Sequence, residues 1–459
     1  MAKTNQTVFV CNECGAVFAN WSGKCRECGN WNTLTEEVRS APQNPGSKAR
    51  VTDGNKTKPL HLSQATELEQ VFRRATNIRE FDRALGGGIV EGSVSLLSGE
   101  PGIGKSTLLL QLCQALSDWK ILYVSGEESA KQIAQRAARL NVSTDNLLLY
   151  CETDLEKILH EASVGDYRLL LVDSVQTLCD SALSSSPGSA AQVKQCAGEL
   201  IKLTKQSEFA TIMVGHVNKD GVIAGPKLLE HMVDVVLYFE GDRSHSCRII
   251  RTIKNRYGAT SEIGLFDMTE EGLCEVPDPS RRLMEESPHD IPGSACVCLM
   301  EGTRPILAEI QALTARSPFP SPKRLANGVD HNRMFLLLAV LEQRMGIPFY
   351  DKDVYLNVIG GLRFDETATD LGIIAALYSC VKSVPLESDT LYLGEVGLSG
   401  ECRSISAVDA RVREAARLGF KQIVLPKRNL DGIKKTPAGI RLIGIRSVYE
   451  LLQLIKGSN

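Results

Sequence analysis

The stretch SVSLLSGEPGIGKST, Ser93 to Thr107, decides the fold. It opens as a short apolar run, turns through Gly99, Gly102 and Gly104, and passes into the helical pattern LLLQLCQAL at 108–116. Gly99 to Ser106 is a complete G-x4-G-K-S. Glycines in such a loop let backbone N-H groups wrap phosphate oxygens, and the following helix N-terminus adds partial positive charge. Gly99, Glu100, Pro101, Gly102, Ile103, Gly104, Lys105, Ser106 and Thr107 are therefore the expected nucleotide-binding segment. Lys105 would bridge the β and γ phosphates and Ser106 would hold Mg2+.

Outward from this loop, ILYVS (121–125), LLLY (147–150), RLLLVD (168–173), TIMVG (211–215) and VVLYF (235–239) alternate with helical patterns. Short apolar strands separated by helices predict an α/β domain around a parallel sheet buried on both faces. Asp173 ends one such strand and is the expected second Mg2+ ligand, with an ordinary helix cap as the alternative reading. Glu127 follows another strand, in the range of a group that activates water. Glu127 and Glu128 would equally favour the start of the next helix. His216, after TIMVG, is placed to sense the γ phosphate or simply to turn the chain.

The chain has 459 residues, 52 Lys plus Arg against 55 Asp plus Glu, and 14 cysteines. Four cysteines, Cys11, Cys14, Cys25 and Cys28, form two C-x2-C pairs, which predicts a closed tetrahedral Zn2+ site that holds a small module folded. That module is expected over 1–35, a polar, Pro- and Gly-bearing linker over 36–58, an ATPase domain over 59–280 and a second α/β domain over 285–459. No apolar run reaches the length of a membrane span, and the N-terminus lacks a secretory pattern, so a cytoplasmic protein without a membrane partner is expected. The formal charge of -3 conceals polarity. Between Glu401 and Arg446 eleven basic residues face four acids, a net +7 that leaves -10 for the remainder. Arg413 and Arg417, four apart on an expected helix, could present a phosphate-tracking face.

The runs FDRALGGGIVEGSVSLLSGEPGIGKST, YVSGEES, LLLVDSVQT, GHVNKDGVIAGPKLLEHMVD and KNRYG (Lys254 to Gly258) resemble the motifs of the bacterial RadA/Sms family, relatives of the RecA recombinase. The resemblance covers nearly the whole chain. It implies a RecA-like P-loop core using ATP, assembled as a homo-oligomeric, hexameric ring. It also implies a DNA-dependent ATPase of homologous recombination and DNA repair, which translocates on single-stranded DNA and drives branch migration alongside RecA. Lys254 and Arg256, in a motif with Tyr257 where the family has Phe, would reach the nucleotide of a neighbouring subunit. The loops 181–192 and 216–227, the latter with Lys219 and Lys227, would line the ring's hole and grip DNA phosphates. The alternative is a regulatory or scaffold ring that remodels protein partners without DNA.

Residues beyond about 290 resemble the proteolytic domain of Lon. In this Lon-protease-like part the nucleophile position falls on Ala368 and that of its paired lysine near Asp409. Without a hydroxyl and an amine there, a peptidase is not expected, unless one of the flanking Thr367 and Thr369 takes the role.

Overall fold

The computed structural model describes residues 5–11, 16–27, 29, 31, 33–40, 72–142, 145–207, 209–216, 226–241, 247–285, 291–359, 366–433 and 436–457. The chain divides into two compact units: Met1–Gly241, Arg248–Thr260 and Phe266–Glu275 in the first, Asp242–Cys247, Ser261–Leu265 and Val276–Asn459 in the second. Among the described residues no helix is long and apolar enough to cross a membrane.

At the N-terminus, β1 (Asn5–Cys11) pairs antiparallel with β2 (Val17–Phe18) and with β3 (Leu34–Ser40). The register runs from Asn5 opposite Ser40 to Cys11 opposite Leu34. Thus β3 continues through residues 36–40, where the sequence reading began its linker. Cys11, Cys25 and Leu34 are buried together, with Phe9, Ala16 and Phe18 packed on them. Among the described residues this core is small, and a core of that size calls for a further crosslink.

Most of a nine-stranded sheet falls in the first unit. In chain order it uses β4 (Val94–Gly99), β5 (Ile121–Ser125), β6 (Leu147–Tyr150), β7 (Leu169–Asp173), β8 (Ala210–His216), β9 (Val235–Glu240), β10 (Cys247–Asn255), β11 (Ile263–Thr269) and β12 (Gly272–Glu275). The spatial order is β12-β11-β10-β9-β4-β8-β7-β5-β6. From β9 to β6 neighbouring strands run parallel, whereas β9 and β10 are antiparallel. Helices α1 (Lys105–Ala115), α2 (Ala130–Arg139), α3 (Leu155–Val164), α4 (Ala190–Ser207) and α5 (Pro226–Met232) connect them. Adjacent residues of β4 serve opposite faces, which is why the strand is apolar without alternation. Leu97 belongs to the same buried cluster as Leu108, Leu109 and Leu112 of α1, and Leu96 to the other, with Leu155 and Ile158 of α3 and Leu200 of α4. Parallel register then brings the carboxyl ends of the strands together: Ser125 lies opposite Asp173, and His216 opposite Gly99.

The second unit has a seven-stranded sheet formed by β13 (Ser294–Glu301), β14 (Arg304–Arg316), β15 (Arg324–Asn327), β16 (Lys352–Val358), β17 (Thr390–Tyr392), β18 (Gln422–Pro426) and β19 (Arg441–Ile445). Their order is β15-β16-β14-β13-β17-β18-β19. Around it lie α6 (His331–Met345), α7 (Asp370–Lys382), α8 (Val408–Arg417) and α9 (Val448–Gly457). Both sheets are mixed rather than purely parallel, but the class is α/β, as expected from sequence.

Candidate nucleotide-hydrolysis site

The phosphate loop joins β4 to α1. Gly102 and Gly104 have φ of 79° and 122°, values closed to most side chains, and a Cβ on Gly104 would stand 2.6 Å from the Met268 side chain. Ile103 turns inward and joins the core, so its part in the loop is to anchor it. Lys105 opens α1, is 4% exposed, and donates from Nζ to the carbonyls of Gly99 (2.7 Å) and Glu100 (2.9 Å). Burial brings its pKa down to about 8, against the opposing pull of Asp173, Glu127 and Glu100.

Asp173, at the end of β7, is 7% exposed and accepts a 2.7 Å hydrogen bond from the phenol of Tyr123. Burial first, and then the Asp173 carboxylate, push that phenol far above its ordinary pKa, so it stays a proton donor. The next residue, Ser174, is fully buried and donates from Oγ to Glu127 Oε1 at 2.5 Å. His216 Nε2 lies 3.0 Å from the same oxygen. These contacts, from His216 foremost and then Ser174, bring the Glu127 pKa down to about 2 against the effect of burial.

The two adjacent glutamates differ in what they touch. Glu128, just before α2, is held by both guanidinium nitrogens of Arg136 in the last turn of that helix, at 2.6 and 2.8 Å. Glu127 faces Ser174 and His216, and its charge is felt at Lys105. The structure thus brings Lys105, Asp173, Glu127 and His216 to one end of the sheet.

Lys254 and Arg256 lie elsewhere in that unit. Lys254 Nζ donates to the carbonyls of Glu230 (2.8 Å), His231 (3.2 Å) and Val233 (2.8 Å), closing the C-terminus of α5. Its pKa is lowered, by burial first and then by Arg256. Arg256 NH1 reaches Asp234 Oδ1 at 3.2 Å. Asp234, absent from the sequence reading, is 4% exposed in its side chain, accepts from Val94 N and binds Lys205 Nζ at 2.5 Å. An acid inside MVDVVLYF was the available signal, since a charge enters an apolar run only when paired.

The loop 181–192 is more ordered than its small residues suggest. Fully buried Gln192 receives the Asp180 amide and donates to the carbonyls of Asp180 and Ser185. Lys219 lies outside the described residues, as do Cys14 and Cys28, and Lys227 falls within α5 but its side chain lies outside them too. Of the cysteine set, Cys11 (0% exposed) and Cys25 (1%) share one buried cluster, which suits thiolate ligands of a closed site.

In the second unit part of the expected basic face is paired. Arg411 is fully buried and binds Glu366 and the carbonyl of Cys298, so it is a core residue rather than a surface charge. Arg417 is held by Asp278 (2.6 Å) and Glu414 (2.8 Å), whose carboxylates raise its pKa further. Arg413 is exposed. Where Lon would have its nucleophile, Ala368 is 1% exposed, Thr367 donates to Glu395, and Thr369 donates to the Glu366 carbonyl.

A glycine loop between strand and helix, a buried lysine on it and an acid closing a parallel strand of the same sheet, with β8 between that strand and β4, define a P-loop ATPase, an ATP-hydrolysing enzyme. Residues 59–222 match the AAA domain family, residues 9–36 the rubredoxin metal binding domain, and residues 333–429 subunit ChlI of Mg-chelatase. The chain is 47% identical over 460 residues to the DNA repair protein RadA of Halalkalibacterium halodurans, covering 100% of both. It is 46% identical to that of Bacillus subtilis, again over 100% of both, and 42% identical to that of Escherichia coli, over 99% of both. The chain belongs to the RadA family of DNA repair proteins.

Proposed function

We propose that this chain is a DNA-dependent ATPase of homologous recombination and repair, working in the cytoplasm, which translocates on single-stranded DNA and drives branch migration beside RecA. The observation that carries the reading is the convergence of Lys105, Asp173 and Glu127 in a chain whose full-length relatives are named as DNA repair proteins. Ser106 and Asp173 would hold Mg2+, which when bound neutralises phosphate charge. Lys105 neutralises the β and γ phosphates. Glu127, ionised and fixed by Ser174, accepts the proton of the attacking water, and His216 relays the state of the γ phosphate to the loop after β8. Lys254 and Arg256 act in trans in a hexameric ring, their side chains exchanging the α5 carbonyls and Asp234, which hold them in the single chain, for the neighbour's nucleotide.

The domain plan is a zinc module bound through Cys11, Cys14, Cys25 and Cys28, a linker, the ATPase, and a Lon-like domain without peptidase activity. Lys219, Lys227 and Arg413 are the proposed phosphate contacts. The test is ATP turnover with and without single-stranded DNA across a salt series. Stimulation that weakens with salt supports the reading, and turnover indifferent to DNA at every salt concentration refutes it. Pairing of Arg411 and Arg417 favours a second reading for the C-terminal domain alone: docking of protein partners rather than duplex tracking.

A further inference from the structure

We propose that Tyr123 is a positioning residue for Asp173, so that the Mg2+-dependent part of nucleotide affinity depends on its phenol. The inference rests on the ATPase reading above. Tyr123 lies in the middle of β5, opposite Leu171, two residues before the Ser125–Asp173 pair. Its ring is 1% exposed and belongs to the same apolar cluster as Leu109, Cys113 and Leu171. Packing there asks only for the ring, and Phe would serve it. A hydroxyl buried in such a place is costly unless bonded, and this one is bonded to Asp173 Oδ2 at 2.7 Å.

The consequence falls on Asp173. A carboxylate at the end of a strand can rotate about its terminal bond, and the Lys105 ammonium supplies an attraction that would turn it. A rigid donor on Oδ2 opposes that rotation and keeps one orientation before any ligand arrives, which is how a metal ligand is preorganised by its neighbours. Lys105 meanwhile gives its hydrogens to the Gly99 and Glu100 carbonyls. The phenol therefore helps keep the cation and the carboxylate in separate roles.

The experiment measures binding of a fluorescent ADP analogue to the full chain, in Mg2+ and in EDTA, for wild type and Tyr123→Phe. The ratio of the two affinities is expected to fall about fivefold in Tyr123→Phe, the net worth of one ordinary hydrogen bond, with the EDTA affinity within about twofold of wild type. In an Asp173→Asn background the same change should add nothing. An unchanged ratio overturns the proposal, and so does an equal loss in Mg2+ and EDTA, because the phenol would then serve only the fold. If wild type shows no gain from Mg2+ and Lys105→Ala no loss of binding, the ATPase reading itself fails.

Discussion

Lys105 carries its charge in a place that disfavours charge, and the cost has a measurable sign. Its folded pKa, about 8, lies below the ordinary 10.5. Between those values the unfolded chain binds more protons than the folded one, so stability of the nucleotide-free protein rises with pH across that window and carries the full penalty below it. The penalty is on the order of 3 kcal/mol at 1.36 kcal/mol per unit. Lys105→Met is therefore expected to be the more stable chain in urea at pH 7, with the gap closing toward pH 10, while ATP turnover is lost. The adjacent glutamates give a second contrast. Glu127→Gln should lower kcat about 10²- to 10³-fold with nucleotide affinity kept, whereas Glu128→Gln, which removes only the Arg136 pair, should retain most turnover. Because His216 and Ser174 hold the Glu127 carboxyl down to about 2, a loss of rate between pH 6 and 5 is expected from another group, and the same acid limb should persist in the residual turnover of Glu127→Gln.

At the scale of elements, Lys254 ties β10 to the end of α5. Three carbonyl contacts at a helix C-terminus, where the helix dipole favours a cation, make it a capping residue whatever else it does. Lys254→Ala should lower the unfolding free energy by about 1–2 kcal/mol and reduce DNA-stimulated turnover more than nucleotide binding. Equal losses in both would count against a role beyond the cap. The same elements show what could be read from sequence. ILYVS and LLLY coincide with β5 and β6, and RLLLVD and TIMVG lie within a residue of β7 and β8 at each end, because strands buried on both faces stand out as apolar runs. The antiparallel strands β10 to β12 were missed, since CRIIRTIKN alternates buried and partly exposed positions and its charges mask the strand. The phosphate loop and Asp173 were legible as a local pattern. Tyr123 and Ser174 were not, because each matters only through a partner on another element, whereas Asp234 left its trace as an acid inside an apolar run.

Over the whole molecule, a sum of charges separates from a charged surface. The +7 between Glu401 and Arg446 counts Arg411, which is wholly buried, and Arg417, which is held by two carboxylates, on equal terms with exposed Arg413. Arg411→Met strips the partly exposed Glu366 carboxylate of its cation and leaves the Cys298 carbonyl without that donor, so it should destabilise the second unit by about 1–3 kcal/mol, and Arg411→Met with Glu366→Leu should recover part of that loss. DNA binding tests the surface side of the distinction. A lysine or arginine that neutralises one phosphate contributes about one unit to the slope of log affinity against log salt. Arg413→Ala should therefore reduce that slope by about one unit with little change in stability. Arg417→Ala should leave the slope nearly unchanged, because Asp278 and Glu414 already take its charge. Equal slopes for the two variants would mean that the ion pairs of Arg417 open on DNA, and the exposed charge of this domain would then be larger than its resting structure presents.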